Sequence, residues 1–143
     1  MEILQFSTIP GHLLERIQHV HRAVFEGQSL KESKLQHKPH FLAFIAFVDE
    51  QVAGFKMGYE VEEGVYYSWL GGVDPSFQNQ GIAKQLMIAQ HEHLKKLGYH
   101  TVRTYSRNER RAMLLLNIKC GFNIIDTFID GKGRHKIRLE KQL

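Results

Sequence analysis

Only one cysteine, Cys120, occurs in the 143 residues, so no internal disulfide can form and no thiolate cluster can bind a metal. Its expected role is packing. No apolar run approaches the ~18 to 20 residues that cross a bilayer, and Met1-Glu2 opens into a strand-like segment rather than a charged and then apolar leader. A cytoplasmic protein with no membrane partner is expected. Prolines number three, and no repeat, low-complexity tract or Pro/Ser-rich linker interrupts the chain, which leads us to expect one domain over residues 1–143. Two phosphate loops are also missing: there is no G-x-x-x-x-G-K-S/T, and no G-x-G-x-x-G follows a strand. Nucleotide hydrolysis and dinucleotide redox thereby lose their main warrant. The nine histidines do not supply a metal site by spacing, because His19/His21 and His91/His93 are two apart on predicted helices and point away from each other. They read as surface or interfacial residues, and no metal is expected.

What is present is an ordinary apolar content of 43% and a charge of +4, nineteen Lys and Arg against fifteen Asp and Glu. That balance suits an anionic ligand, and charge alone would suit a nucleic acid as well. Glu2–Phe6 reads as a strand, and Leu13, Leu14, Ile17, Val20, His21 and Val24 recur at helical spacing after Pro10-Gly11. Gly27–Lys38 reads as a second short helix or an ordered loop. Phe41–Val48, Val52–Glu60 and Val65–Val73 are β-rich runs separated by short polar breaks, an antiparallel meander. From Gly81 to Leu97 one face carries Ile82, Leu86, Ala89, His93, Leu94 and Leu97, and Gly98 closes this helix. His100–Tyr105 follows as a strand, reached by a right-handed crossover that makes it a parallel neighbour. Arg110–Lys119 is a further helix closed by Gly121-Phe122. Ile124–Ile129 and Arg134–Leu139 pair as a hairpin in which Asp130-Gly131 supplies the positive φ and Ile137 and Leu139 face inward. The order β-α-α-β-β-β-α-β-α-β-β gives a layered α/β fold, a mixed sheet with helices on both faces.

The stretch from Val73 to Ala83 carries the chemistry, because a strand ends and a helix begins there with Gly81 and Ala83 leaving the backbone uncovered. The first turn of a helix has N–H groups without internal partners and the positive end of the helix dipole, so an anion such as a pyrophosphate can settle on them. In isolation the same residues also describe an ordinary strand-to-helix turn.

Gln78-x-x-Gly81-x-Ala83 resembles the pyrophosphate-binding signature of the GNAT superfamily, the Gcn5-related N-acetyltransferases: Arg or Gln, two residues, Gly, one residue, then Gly or Ala. Val73-Asp74-Pro75 resembles the Val-x-Pro that precedes it in that family. A second family segment is matched by Thr101–Tyr105, Asn108, Ala112–Lys119 and Gly121-Phe122, so the resemblance spans about Phe41 to Phe122. It implies a GNAT-like acyl-CoA N-acyltransferase fold, mainly antiparallel, with about six to seven strands. It also implies acetyl-CoA as acyl donor, held by Val73, Gln78, Asn79, Gln80, Gly81, Ile82, Ala83, Asn108 and Asn117. The acceptor would be an amine of a small molecule or peptide, with no nucleic acid, and the protein a monomer or homodimer.

By the same resemblance, the fourth and fifth strands splay at a bulge that Gly71-Gly72 would suit, and pantetheine lies between them. Val73 would bond to it, and the Gly71 N–H would face the thioester carbonyl. The family often uses a tyrosine in its second motif as acid, and that position is Asn117 here. An amide has no usable acidity, so either Asn117 only positions the donor or the thiolate leaves unassisted. Tyr67, Ser68 and Glu60 are the candidates for a base, with Tyr67 and Trp69 on one face of the strand and Tyr66 and Ser68 on the other. An arginine near Asn108 would be a secondary candidate for contact with the 3′-phosphate. A non-catalytic acyl-CoA-binding module is the alternative reading.

Overall fold

A computed structural model describes all 143 residues. Strands β1 (Glu2–Phe6), β2 (Leu42–Val48), β3 (Gln51–Glu62), β4 (Val65–Val73), β5 (Thr101–Ser106), β6 (Asn123–Ile129) and β7 (His135–Gln142) form one sheet in the order β1-β2-β3-β4-β5-β7-β6. Helix α1 spans Gly11–Val24, α2 Ile82–Lys96 and α3 Arg111–Lys119. Every strand pair is antiparallel except β4 with β5, the pair joined through α2 by the expected crossover.

Strand β2 is apolar throughout because both of its faces are covered. Ala43 and Ile45 join Leu13, Ile17 and Val20 of α1 on one face, while Phe44 and Ala46 join Ile82 and Leu86 of α2 on the other. Farther along the α2 face, Tyr66, Met87, Leu94, Val102, Phe122, Ile137 and Leu139 form a third cluster, against which Leu114, Leu116 and Cys120 pack. The inward placing of Ile137 and Leu139 follows from alternation, as expected. Glycine is required at Gly58, where a Cβ would stand 2.4 Å from the Tyr67 carbonyl oxygen across the bulged β3–β4 pair.

Of the two readings of the segment between α1 and β2 the ordered loop holds, with a single 3-10 turn at Glu32–Leu35. Its order comes from α1: the buried Gln18 side chain donates to the Leu30 carbonyl at 2.6 Å and accepts the Leu30 N–H at 2.7 Å. His21 and His91 are buried rather than superficial. His21 lies 2.6 Å from the Gln28 carbonyl, and His91 packs edge-on against Phe122. In the β6–β7 turn the positive φ falls on Gly133, at 76°, not on Asp130-Gly131. The Asp130 carboxylate accepts the N–H groups of Lys132 and Arg134, each at 2.9 Å, which fixes a longer loop than a two-residue turn.

Candidate active site

Strands β4 and β5 pair only at Val65 with Thr101, Tyr66 with Val102 and Tyr67 with Arg103. One further link, the Thr104 hydroxyl donating to the Ser68 carbonyl at 3.1 Å, ends the contact. Beyond it the strands part, because β5 stays with β7 to Ser106 while β4 stays with β3 to Val73. The edge of β4 from Trp69 to Val73 is therefore free on the β5 side. The register shift opposite Met57 and Gly58 leaves Trp69 as the extra residue of β4. The bulge thus sits at Trp69, two residues before the Gly71-Gly72 pair expected to carry it. Gly72 has a different reason to be glycine: a Cβ there would stand 2.9 Å from Cγ2 of Val24 on α1.

After β4, Asp74 caps a short 3-10 turn at Pro75–Phe77 by accepting the Ser76 N–H at 2.9 Å. Asn79 and Gly81 then take left-handed conformations, with φ of 63° and 75°, and Gly81 becomes the N-cap of α2. No protein acceptor receives a backbone N–H from Asn79 through Lys84. A Cβ on Gly81 would meet nothing within 4 Å, so the glycine serves the backbone conformation and an open approach rather than tight packing. Gln78, Gln80 and Gly81 are exposed, whereas Ile82 is buried in the core and offers only its backbone. The result is a row of unpaired donors at the positive end of a 15-residue helix.

The wedge between α2, α3 and the parted strands contains polar atoms without partners. Gln90 is fully buried, and its Oε1 accepts from the Ser68 hydroxyl at 3.1 Å while Nε2 bonds to nothing; the Ser106 hydroxyl is also buried and unpaired. Asn117, the one buried residue of α3, makes no side-chain hydrogen bond, although its carbonyl accepts the Phe122 N–H at 3.0 Å. Buried amides and hydroxyls normally have partners, so a row of orphans beside an open strand edge fits the polar arm of a bound ligand. Asn108 lies apart from them, exposed on the loop before α3, and does not cap that helix.

The base candidates separate. Ser68 is engaged by Gln90 on the α2 face. Glu60 stands opposite Tyr66, where β4 and β5 are still paired, 4.0 Å from the His40 ring. Tyr67 lies on the α1 face, edge-on to Tyr59 at 5.4 Å and Tyr105 at 5.4 Å. Burial, followed by those two neighbours, pushes its phenol well above the usual range, so Tyr67 stays protonated at neutral pH. With Trp69 and Phe128 these rings form an aromatic wall that carries two cations: Lys38 over Tyr59 at 4.6 Å and Trp69 at 5.1 Å, and Arg138 over Phe128 at 5.6 Å. Among the arginines near the second motif, Arg103 is held by Glu140 at 2.7 Å and Glu62 at 3.3 Å, and Arg110 stacks on Phe25 at 5.0 Å.

One residue of this region went unnoticed in the sequence. Lys56 stands opposite Gly71 in the β3–β4 register, and its Cγ lies 3.6 Å from where a Gly71 Cβ would be. No carboxylate pairs with it. Burial pulls its ammonium down to about 8, with the Cys120 thiol acting in the opposite sense. The available signal was a lone cation inside the apolar run Val52-Ala53-Gly54-Phe55-Lys56-Met57.

The family model of the Acetyltransferase (GNAT) family matches residues 12–122. No curated protein matches the chain. Among solved structures, an aminoglycoside 6'-acetyltransferase type Ii is similar at 16% identity and a TM-score of 0.85, covering 99% of this chain and 97% of that one. The ribosomal-protein-S18-alanine N-acetyltransferase from Escherichia coli is similar at 20% identity and a TM-score of 0.81, over 99% and 94%. A PaiA N-acetyltransferase from Thermoplasma acidophilum, in complex with coenzyme A, gives 19% identity and a TM-score of 0.75 over the whole of both chains. Likeness at these identities speaks for the fold, a seven-stranded mixed sheet with three helices. The family match reaches across the donor-rich loop before α2, the parted strands and the end of α3, and the chain belongs to the Acetyltransferase (GNAT) family.

Proposed function

We propose that this protein transfers the acetyl group of acetyl-CoA to a primary amine of a small molecule or peptide, residues 1–143 acting as one catalytic domain. The observation that carries this reading is the run of unpaired N–H groups from Asn79 to Lys84, which opens toward solvent next to the free edge of β4. The loop of Gln78, Asn79, Gln80, Gly81, Ile82 and Ala83 would hold the pyrophosphate through backbone donors. The pantetheine amides would take the place of a missing strand beside Trp69–Val73, with Val73 as a backbone partner and Asn117, Gln90 and Ser106 as side-chain partners. Asn108 stands on the loop that would meet the far end of the donor.

In this reading the Gly71 N–H points at the thioester carbonyl. A donor so placed stabilises the oxyanion that forms as the amine attacks, by about 3 to 4 kcal/mol in comparable sites. The aromatic wall of Tyr59, Tyr67, Trp69 and Tyr105 supports approach of the acceptor from the α1 face, opposite α2. Tyr67 then serves as a wall and hydrogen-bonding group rather than as an ionised base, and the amine proton leaves to water.

The test is release of coenzyme A thiol from acetyl-CoA over a panel of polyamines, amino acids, aminoglycosides and peptide N-termini, beside calorimetric titration of acetyl-CoA. Saturable binding with turnover of at least one amine is expected. Binding without thiol release against the whole panel would favour a non-catalytic acyl-CoA-binding module, and no binding at all would overturn the reading.

A further inference from the structure

We propose that Lys56 is the acid that protonates the departing thiolate of coenzyme A, the task that the amide of Asn117 cannot perform. The assignment rests on the acetyl-CoA reading above, and specifically on the thioester lying beside Gly71. Lys56 belongs to β3, one strand removed from the opening, and stands opposite Gly71 in the β3–β4 register, its stem in van der Waals range of that residue. Its neighbours Phe55 and Met57 join the α1 cluster, so alternation turns Lys56 to the opposite face of the sheet, where α2 carries Gln90 and α3 carries Asn117.

The titratable groups whose charge acts on Lys56 from the packed elements are Cys120 at the end of α3 and His91 on α2, the latter in contact with Lys141 of β7. None of them is a carboxylate. His91 accepts a hydrogen bond from Lys141 at 3.2 Å and is held neutral, so it brings neither a counter-ion nor a second positive charge. Lys56 is half-buried as a residue, and a desolvated ammonium without a counter-ion costs stability unless something else calls for it. A thiolate that appears at this spot only during the reaction would be its partner. An acid whose pKa is near that of a thiol, about 8.5, is also suited to proton transfer in either direction.

The step balances without a further reactant. The neutral amine nitrogen attacks the carbonyl carbon, and a C–N bond forms. The C–S bond then breaks, and its electron pair stays on sulfur. A proton passes from Lys56 Nζ to sulfur, and the proton lost by the amine goes to water, from which Lys56 is recharged.

The experiment uses coenzyme A itself and needs no acceptor. The thiolate absorbance of bound coenzyme A is titrated against pH in a Cys120→Ser background, with Lys56 intact or changed to Met or Arg. With Lys56 present, the bound thiol is expected to ionise at least one pH unit below the free thiol. Lys56→Met should return it to the free value or above. Lys56→Arg, which keeps the charge, should hold it low. Calorimetry of coenzyme A accompanies each titration, with affinity in Lys56→Met expected within about tenfold of the parent, to establish that the site is intact. Equal thiol ionisation with and without Lys56 while coenzyme A binds would overturn this assignment alone. Failure of coenzyme A to bind the protein with Lys56 intact would overturn the cofactor reading and the assignment together.

Discussion

Val24, at the last turn of α1, closes over Gly72 so tightly that a Cβ on the glycine would stand 2.9 Å from Val24 Cγ2 and 3.1 Å from Cγ1. The contact ties α1 to β4 next to the residues that border the opened strand edge. Branched methyl groups on a helix cannot swing away as the end of a flexible side chain would. Gly72→Ala is therefore expected to destabilise the fold by about 1 to 3 kcal/mol, as overpacking does. Gly72→Ala combined with Val24→Ala should recover most of the loss. Urea unfolding of the two single variants and the double variant checks this, and additive losses would show that the two residues do not share the strain.

Gly81 offers a way to separate backbone strain from charge. Its φ of 75° means that any side chain costs about 1 to 2 kcal/mol there. Gly81→Gln and Gly81→Glu carry that strain equally. Only the second brings a carboxylate to the row of unpaired donors. The glutamate variant is expected to lose acetyl-CoA binding at least 100-fold, and the glutamine variant far less. Equal affinity in the two, measured by calorimetry, would remove the pyrophosphate from this loop.

Asn117 is buried with its amide unpaired, so its removal should harm binding of the donor more than the fold. For Asn117→Ala a rise of about 5- to 20-fold in the acetyl-CoA KM is expected, the worth of one to two hydrogen bonds, with kcat changed less than threefold. A large fall in kcat with KM unchanged would instead give Asn117 a part in the chemistry.

His91 predicts a particular acid sensitivity. Burial, with Lys141 and Lys56 adding to it, lowers its imidazolium to about 3. An unfolded histidine takes up its proton near 6.5, while the folded one does not until about 3, so the unfolded state binds more protons in between. The stability associated with this group is thus complete above pH 6.5 and is lost as pH falls, by about 1.4 kcal/mol per unit. His91→Leu should flatten that part of the stability curve in urea titrations between pH 4 and 7. An unchanged slope would place the acid sensitivity elsewhere.

How much of this was legible beforehand depends on the range of the interaction. The helix from Ile82, the strand from Thr101 and the turn at Gly121-Phe122 are local patterns of apolar spacing and glycine, and the structure matches them within one or two residues. The resemblance of Gln78–Ala83 to a phosphate loop is local as well, since a strand end, a glycine and a helix start are neighbours in the chain. The bulge falls elsewhere because it depends on the register between β3 and β4, and one of the two glycines that suggested it, Gly72, answers to a different contact, Val24. His21 and His91 were read as superficial because helical spacing gives a direction and not what lies there; Gln28 and Phe122 arrive from elsewhere in the fold.

By itself the sequence determined the order of the seven strands and three α-helices, the parallel crossover and the loop before α2, because backbone preference and apolar periodicity act over a few residues. Only the tertiary structure decided that β4 and β5 part after three pairs, that Gln90 and Ser106 hold unpaired polar atoms beside the gap, and that Lys56 stands opposite Gly71 without a carboxylate partner. Strand pairing and burial bring together residues far apart in the chain, and no local pattern encodes which of them lose their water when they meet.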